Sequence, residues 1–182
     1  MEGTKNIMSD IKIAELKRFL ANISDNELRG EIVDLFKLFP QVKEYFAVKL
    51  KPEAETVLME KYKKIIKNEF LPDRGFGKLR YSIMKKALED FRKLSHTPEH
   101  IAELLISQVE YGVEFTNEYG DIDEKFYNNI AGMYEKAFKF IFKEKIEQVF
   151  KERLRKIMVD GDGIGWGFSD ELSDLYYSHY NE

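Results

Sequence analysis

Apolar residues recur at helical spacing along nearly the whole of this 182-residue chain, and this periodicity is the strongest constraint on its fold. The few clusters of Gly, Pro, Ser and Asp fall between the periodic segments, where helices end. No segment shows the alternation of apolar and polar residues that is typical of strands. We therefore predict an all-α fold of about eight helices in stacked antiparallel hairpins, arranged as a solenoid-like array or a compact bundle.

Capping residues and prolines predict where several helices begin. Ser24, with Glu27 three residues later, has the pattern of a capping box. Pro40 ends that helix and can open the next one, and Thr97 followed by Pro98 begins a long helix. These signals predict short connections, which favour antiparallel neighbours.

The helix that begins at Pro98 is the most clearly amphipathic of the chain. Gly112 on its apolar face costs about 1 kcal/mol of helix propensity, so we expect another helix to pass close to it. We favour a solvated face for the opposite, acidic side; the alternatives are that it lies against the basic helix before it or binds a partner. The apolar positions are Ile101, Leu104, Leu105, Gly112, Phe115 and Tyr119, and the acidic ones are Glu99, Glu103, Glu110, Glu114 and Glu118.

A further capping signature, Asp121 with Glu124, precedes helical periodicity that continues to about Val159. Along this length the apolar face moves to the opposite side of the helix when a single helical phase is carried through. This change of face predicts a break near Lys143 to Lys145.

The composition excludes several classes of site. The chain has no cysteine, which rules out disulfides, thiolate metal sites and cysteine nucleophiles, and its formal net charge of −4 gives no overall attraction to nucleic acid or anionic lipid. No apolar run approaches the length of about 20 residues that a membrane span needs, and the N-terminus lacks the pattern of a secretory signal. We expect a cytoplasmic protein without membrane contact, with a disordered tail at residues 1–9 and a single helical domain over residues 10–182.

The stretch "VDGDGIGWGFSDEL", residues 159–172, places four glycines and the only tryptophan between two helical segments. Numbered as a calcium loop from Asp160, it lacks an oxygen ligand at Ile164. We favour a structural turn, in which the glycines allow positive φ and seat Trp166 and Phe168 on the core. The remaining alternative is a ligand or partner surface built around Trp166 and nearby acids such as Asp170.

The stretch "DRGFGKLR" has features of a phosphate cradle. Gly75 and Gly77 permit close backbone approach, Arg74 and Lys78 supply positive charge, and a helix is predicted to begin at about Lys78. The spacing matches no nucleotide fingerprint. Residues 60–93 as a whole are basic, which leaves nucleic-acid binding through this segment as an alternative that we consider unfavoured.

The three histidines supply little material for common catalytic or metal chemistry. "HTPEH" has the letters of a zinc motif, but Pro98 disrupts the continuous helix that such a motif needs. We therefore predict no catalytic residue, no metal site and no cofactor.

Three stretches in their order carry a family resemblance: "RGFGKLR", "EYGVEFTNEYGDIDEKFYNNI" and "GIGWGFSDELSDLYY". Together they resemble an uncharacterised bacterial family named domain of unknown function 6155, over about Leu16 to Tyr180. The resemblance implies a small, cytoplasmic, helical protein and brings no assigned activity. It marks residues 74–78, 112–121 and 163–168 as family landmarks.

These observations favour a binding or scaffolding module rather than an enzyme, with a protein partner or a second copy of the chain as its target. The alternative is a ligand-binding protein or enzyme that uses the glycine-rich loops. That alternative requires Trp166, Arg74 and Lys78 to converge on one pocket.

Overall fold

A computed structural model describes residues 11–180, which form helices and connections without a strand. The helices of this part of the chain are α1 (Ile13–Ala21), α2 (Asp25–Leu38), α3 (Pro40–Leu50), α4 (Ala54–Phe70), α5 (Tyr81–Leu94), α6 (Pro98–Tyr119), α7 (Glu124–Glu144), α8 (Glu147–Asp160) and α9 (Phe168–His179). The all-α prediction is confirmed, and nine described helices are close to the predicted number. Among them, none combines the length and apolar character that a membrane span needs.

The chain divides into two compact units, with the boundary between Ala47 and Val48 inside α3. The predicted tail, residues 1–9, lies outside the described residues. The single domain predicted over residues 10–182 stays a prediction.

The N-terminal unit contains α1, α2 and most of α3. The predicted capping box of α2 is confirmed: the Glu27 amide donates to Ser24 Oγ at 3.3 Å, and Glu27 Oε2 accepts from the Ser24 amide at 2.8 Å. Pro40 is the first residue of α3, as predicted. No described residue before Val48 is buried, and large apolar side chains such as Ile13 and Leu38 remain exposed.

The C-terminal unit is built around α6, which contacts four other helices: α4, α5, α7 and α8. The apolar face predicted from the sequence is buried at Leu104, Leu105 and Phe115. Burial extends further around the helix, because neighbours pack on several sides of it. The additional buried positions are Ala102, Ile106, Ser107, Gln108, Val109, Val113 and Thr116.

The predicted close approach at Gly112 is confirmed. A Cβ added there would lie 2.5 Å from Cδ1 of Ile130, a fully buried residue of α7. Helix α7 therefore packs Ile130 directly on Gly112, and a larger residue there requires the Ile130 side chain to shift.

The acidic face of α6 is partly buried at Glu103 and Glu110. Arg153 of α8 donates to Glu110 Oε1 at 2.9 Å and Oε2 at 2.7 Å, and it also donates to Glu103. Lys63 of α4 donates to the second oxygen of Glu103 at 2.5 Å. Burial alone raises the pKa of Glu103, but hydrogen bonds from Arg153 and Lys63 outweigh it and hold the pKa below its usual value. Through these two glutamates, ion pairs connect α6 with α4 and α8.

The turn between α5 and α6 is held by a buried carboxylate. Glu55 Oε1 accepts from Ser95 Oγ at 2.6 Å, from the Thr97 amide at 3.1 Å and from the His96 amide at 3.2 Å. The His100 Nδ1 lies 3.2 Å from the same oxygen. Thr97 is the N-cap of α6 as predicted, although its side chain makes no capping hydrogen bond, and Glu55 secures this helix start instead.

The predicted break after α7 is confirmed at Lys145, which has a left-handed backbone with φ of +59°. Helix α8 then begins at Glu147 and turns its own apolar face, including Leu154 and Ile157, toward the core. The break accounts for the change of face in the sequence, since two helices replace one.

We expect Gly112→Ala to lower the free energy of unfolding. Overpacking against Ile130 costs about 1–3 kcal/mol, which exceeds the gain of about 1 kcal/mol in helix propensity. Gly132→Ala in α7 is the matched control, because open space surrounds this position. It should raise stability by about 0.5–1 kcal/mol. Urea unfolding of both variants measures the difference, and stabilisation by Gly112→Ala would contradict the close crossing.

The clamp at Glu55 predicts a loss of stability at acid pH. Burial raises the pKa of Glu55, but hydrogen bonds from Ser95, His100 and Thr97 outweigh it, so the pKa in the folded state lies below the usual 4.5. A depressed pKa contributes stability that is complete above pH 4.5 and is lost as the pH falls through the folded-state value.

Glu55→Gln should therefore lower the free energy of unfolding at neutral pH by about 1–3 kcal/mol and flatten its decline in acid. Urea unfolding across the acid range tests this. Glu53→Gln, at an exposed position two residues earlier, should leave the pH dependence as it is.

Candidate functional site

The connection between α8 and α9 is shaped by left-handed backbone positions. Gly163 and Gly167 have φ of +75° and +72°, and Trp166 between them has φ of +63°. An L-residue in this region costs on the order of 1–2 kcal/mol. The surrounding structure must therefore hold Trp166 in place.

The indole of Trp166 points outward and is fixed by hydrogen bonds. Trp166 is 56% exposed, and its Nε1 donates to both oxygens of Asp121, at 2.8 and 3.1 Å. Phe168 is buried against Tyr127, with ring centroids 5.3 Å apart. The expectation that both aromatics lie on the core is thus confirmed for Phe168 and wrong for Trp166, because left-handed Trp166 and Gly167 turn the chain between them.

Asp121 connects the exposed indole to the core. Besides Trp166, its Oδ1 accepts from the Tyr127 hydroxyl at 3.0 Å. That buried hydroxyl also lies 2.8 Å from Thr116 Oγ1 and accepts from the Ile122 amide at 3.2 Å. The orientation of Trp166 is therefore determined by side chains of α6 and α7.

Asp121 was expected to cap the next helix, and that expectation is wrong. The N-cap of α7 is Asp123, whose Oδ1 accepts from the Phe126 amide at 2.7 Å. Both aspartates stand before the helix in sequence, so local pattern alone could not assign the cap. The shift of two residues leaves the Asp121 carboxylate available for Trp166.

A small cavity of about 290 Å³ adjoins the indole. Asp121, Thr116 and Trp166 supply its polar and aromatic side chains, and glycines of the two adjoining loops supply open backbone. Such a recess is large enough for one side chain of a partner.

The loop between α4 and α5 is packed on the end of α4. A Cβ at Gly77 would lie 2.1 Å from the carbonyl oxygen of Phe70, so this glycine is required for close packing. Arg80 donates to Glu69 through Nε at 3.0 Å and Nη2 at 2.6 Å. Burial raises the pKa of Glu69, but it is outweighed by the hydrogen bonds from Arg80, the largest influence, and the pKa falls below its usual value.

This packing bears on the phosphate-cradle alternative. Gly77 lies against carbonyl oxygens at the C-terminal end of α4, where the helix dipole places partial negative charge and disfavours an anion. Helix α5 begins at Tyr81, three residues later than its predicted start at Lys78. Arg74 and Lys78 are exposed.

The same loop presents Phe76 to solvent, with 75% of the side chain exposed. Its ring lies against Tyr119, with centroids 5.3 Å apart, and Tyr119 in turn lies 4.9 Å from the buried Phe115. Tyr119 was expected on the packed face of α6, but it is exposed at the end of the helix.

Two contacts therefore connect the family landmarks at the C-terminal end of α6: Phe76 lies against Tyr119, and Trp166 donates to Asp121. We call the set Phe76, Tyr119, Asp121 and Trp166 the aromatic-acidic surface. Residues 108–124 and 157–182, which supply three of its members, contain no Lys or Arg. Carboxylates therefore predominate around Tyr119, Asp121 and Trp166, whereas the loop of Phe76 carries the exposed Arg74 and Lys78.

The site residues expected from the sequence are only partly brought together. Trp166 lines the cavity beside Asp121, whereas Arg74 and Lys78 do not line it. Asp170 lines a different recess, with Gly167 and residues of α7 and α9. The ligand or enzyme alternative, which requires Trp166, Arg74 and Lys78 to converge on one pocket, stays a prediction.

Sequence reasoning missed Asp121, Tyr119 and Phe76 as members of a site. These residues occur in the landmark stretches of the sequence, but nothing in the sequence indicated that they lie close together, because their proximity depends on how the two loops pack on α6.

The acids of the stretch that was compared with a calcium loop have other partners: Asp160 pairs with Lys156, and Asp162 accepts from Ser169 Oγ at 3.2 Å. The described residues contain no cluster of three acids or histidines placed to hold a metal.

Fold and site together define an all-α protein that presents a fixed aromatic-acidic surface at the end of its central helix. The model of a family of unknown function (DUF6155) matches residues 11–178. The chain belongs to this family. No curated protein and no solved structure matches the chain.

We expect Asp121→Ala to release the indole while leaving the fold intact. Trp166 is the only tryptophan, so its fluorescence anisotropy reports directly on this side chain. The anisotropy should fall because both hydrogen bonds to Nε1 are lost. Asp170→Ala, at an exposed acid beyond the loop, is the control and should leave the anisotropy unchanged. Equal anisotropy in both variants would show that backbone packing alone holds the indole.

Proposed function

We propose that this protein is a binding module that captures a basic, arginine-containing segment of a partner protein on its aromatic-acidic surface. The observation that carries the proposal is the meeting of Phe76, Tyr119, Asp121 and Trp166 from three separate segments at one end of α6. No catalytic role is part of the proposal.

Energetics support a binding role for the exposed aromatics. Large apolar side chains are stabilised by leaving water, yet Phe76 and Trp166 are held in water on loops shaped by glycine. Trp166 also has a left-handed backbone conformation, which is unfavourable for an L-residue, and its indole points outward. Fixed Trp and Tyr side chains are typical binding hot spots, because little conformational entropy is lost when a partner covers them.

Charge supports a basic partner. The segments around Tyr119 and Trp166 carry carboxylates and no Lys or Arg, so a basic segment would meet a complementary field. An arginine guanidinium can also stack on an aromatic ring, which contributes about 0.5–1 kcal/mol at an exposed site. Asp121 already accepts from Trp166 and Tyr127 and still offers carboxylate oxygens to a guanidinium.

The basic segment at residues 60–93 is a weaker basis for nucleic-acid binding, because several of its cations have acidic partners within the chain. Lys63 pairs with Glu103, Arg80 with Glu69, and Lys86 with Asp90. These pairs reduce the positive charge that a phosphate backbone could use.

A second copy of the chain is another partner that the proposal allows. The N-terminal unit supports self-association, since it exposes apolar side chains on α1 and α2 and contains no buried residue before Val48.

A cytoplasmic location is part of the proposal too, and the lack of cysteine suits a reducing compartment.

The proposal is tested with the full chain and a fluorescently labelled peptide that contains arginine and leucine. The control peptide has glutamate in place of each arginine. We expect saturable binding of the arginine peptide only, weakened by added salt because part of the attraction is electrostatic.

Phe76→Ala and Trp166→Ala should each weaken this binding by about tenfold or more, as expected for hot-spot residues. Tyr177→Ala removes an exposed aromatic ring near the other end of α9 and should leave the affinity unchanged. Equal affinity for both peptides, or equal affinity of all three variants, would reject the proposal.

A further inference from the structure

A second cavity, of about 400 Å³, lies between α5, α6 and α7, and its lining differs from that of the aromatic-acidic surface. Its size falls in the range of small-molecule sites, about 300–1,000 Å³. Leu88 of α5 and Met133 of α7 supply apolar wall, and Gln108 of α6 lies among the lining residues. The cavity therefore reaches the central helix.

Gln108 is a polar side chain in a core position. It is 4% exposed, yet its amide makes no hydrogen bond with any described residue. The neighbouring positions Leu104, Leu105 and Val109 are apolar and fully buried. The Gln108 amide is not among the fully buried, unpartnered side-chain atoms of the described residues, so it keeps contact with the solvent of the cavity and is available to a bound molecule.

A second polar group lies on the same cavity. The Tyr81 hydroxyl is buried and reaches no partner with hydrogen-bond geometry among the described residues. Burial raises the pKa of Tyr81 to about 12, although the nearby Asn129 amide lowers it in part. At physiological pH the hydroxyl keeps its proton and can donate to a bound molecule. Asn129 also lines the cavity.

Positive charge surrounds this polar interior. Lys85, Arg92 and Lys136 line the cavity, against the single carboxylate of Glu89. Glu89 lies 3.8 Å from Lys85, so Arg92 and Lys136 are the cations without an acidic partner in the described part of the chain. The Arg92 guanidinium lies 5.3 Å from the centroid of the Phe140 ring, which restricts its orientation.

We infer that this cavity binds a small organic anion, a carboxylate or phosphate that also carries hydroxyl groups. The anionic group is bound by Arg92 and Lys136, which can form charge-assisted hydrogen bonds to it. The hydroxyl groups exchange hydrogen bonds with the Gln108 amide and with the Tyr81 hydroxyl, which thereby gains the partner that it lacks among the described residues. The inference is independent of the proposed protein-binding surface, which uses different residues.

Three matched probes test the inference by calorimetric titration of the full chain: glycerol 3-phosphate, glycerate and glycerol. Saturable binding of at least one anion, without binding of glycerol, is the expected result. Binding of glycerol 3-phosphate alone assigns a phosphate ligand, and binding of glycerate assigns a carboxylate. Absence of saturable binding for both anions, or equal binding of glycerol, would overturn the inference.

Arg92→Gln should weaken binding of the anion by at least about tenfold, since it removes a charge-assisted hydrogen bond. Lys93→Gln is the matched control, because Lys93 pairs with Asp90 and does not line the cavity. Equal affinities of these two variants would count against the site.

Gln108→Met separates a ligand-binding role from a structural one. Met has a similar shape and no polar group that needs a partner. We expect the variant to bind the anion more weakly and to unfold at a higher Tm without ligand. A lower Tm, or an unchanged affinity, would show that Gln108 serves the fold and would overturn the inference. The peptide assay of the aromatic-acidic surface should give the wild-type result with this variant, so failure of one proposal is distinguishable from failure of the other.

Discussion

Burial of α6 by four surrounding helices is the constraint on which the rest of the C-terminal unit depends. A helix buried on several sides has little room for large side chains where a neighbour crosses closely, and Gly112 meets this requirement against Ile130. It also carries polar groups into the interior, and these need partners. Arg153 and Lys63 supply them for Glu103 and Glu110 by reaching in from α8 and α4. Packing and ion pairing thus fix the same helix from several directions.

The two ends of α6 differ in how their polar and aromatic side chains are used. At the N-terminal end, the buried Glu55 carboxylate binds the turn before the helix and replaces a capping side chain. At the C-terminal end, Tyr119 and Asp121 project into solvent and are joined there by Phe76 and Trp166. One end is closed by internal hydrogen bonds and the other presents groups to the surroundings. This asymmetry is why we place a partner at the C-terminal end.

Gln108 stands out against this background of satisfied polar groups. Glu103 and Glu110 on the same helix have cationic partners, whereas Gln108 lines a cavity together with Arg92 and Lys136. The chain therefore presents two surfaces of opposite charge. Acids and aromatic rings surround the end of α6, and cations surround the cavity beside its middle.

Several features followed directly from sequence because their causes are local. Apolar periodicity predicted the helices, Ser24 with Glu27 predicted a capping box, and the change of apolar face predicted the break that occurs at Lys145. Gly112 predicted close packing of another helix, since glycine inside a helix is unfavourable and is expected there only where a side chain would not fit. Each of these depends on residues within a few turns of one another.

The site could not be predicted in the same way. The sequence placed Trp166 in the core with Phe168, but the carboxylate that holds it outward comes from Asp121, 45 positions away in the chain. Asp123, and not Asp121, caps α7, and the local sequence pattern did not distinguish the two aspartates. Local chemistry thus determined the helices, their ends and the positions where glycine was needed. Tertiary structure alone decided which aromatics face water and which polar side chain lines a cavity, because those outcomes depend on contacts between segments distant in sequence.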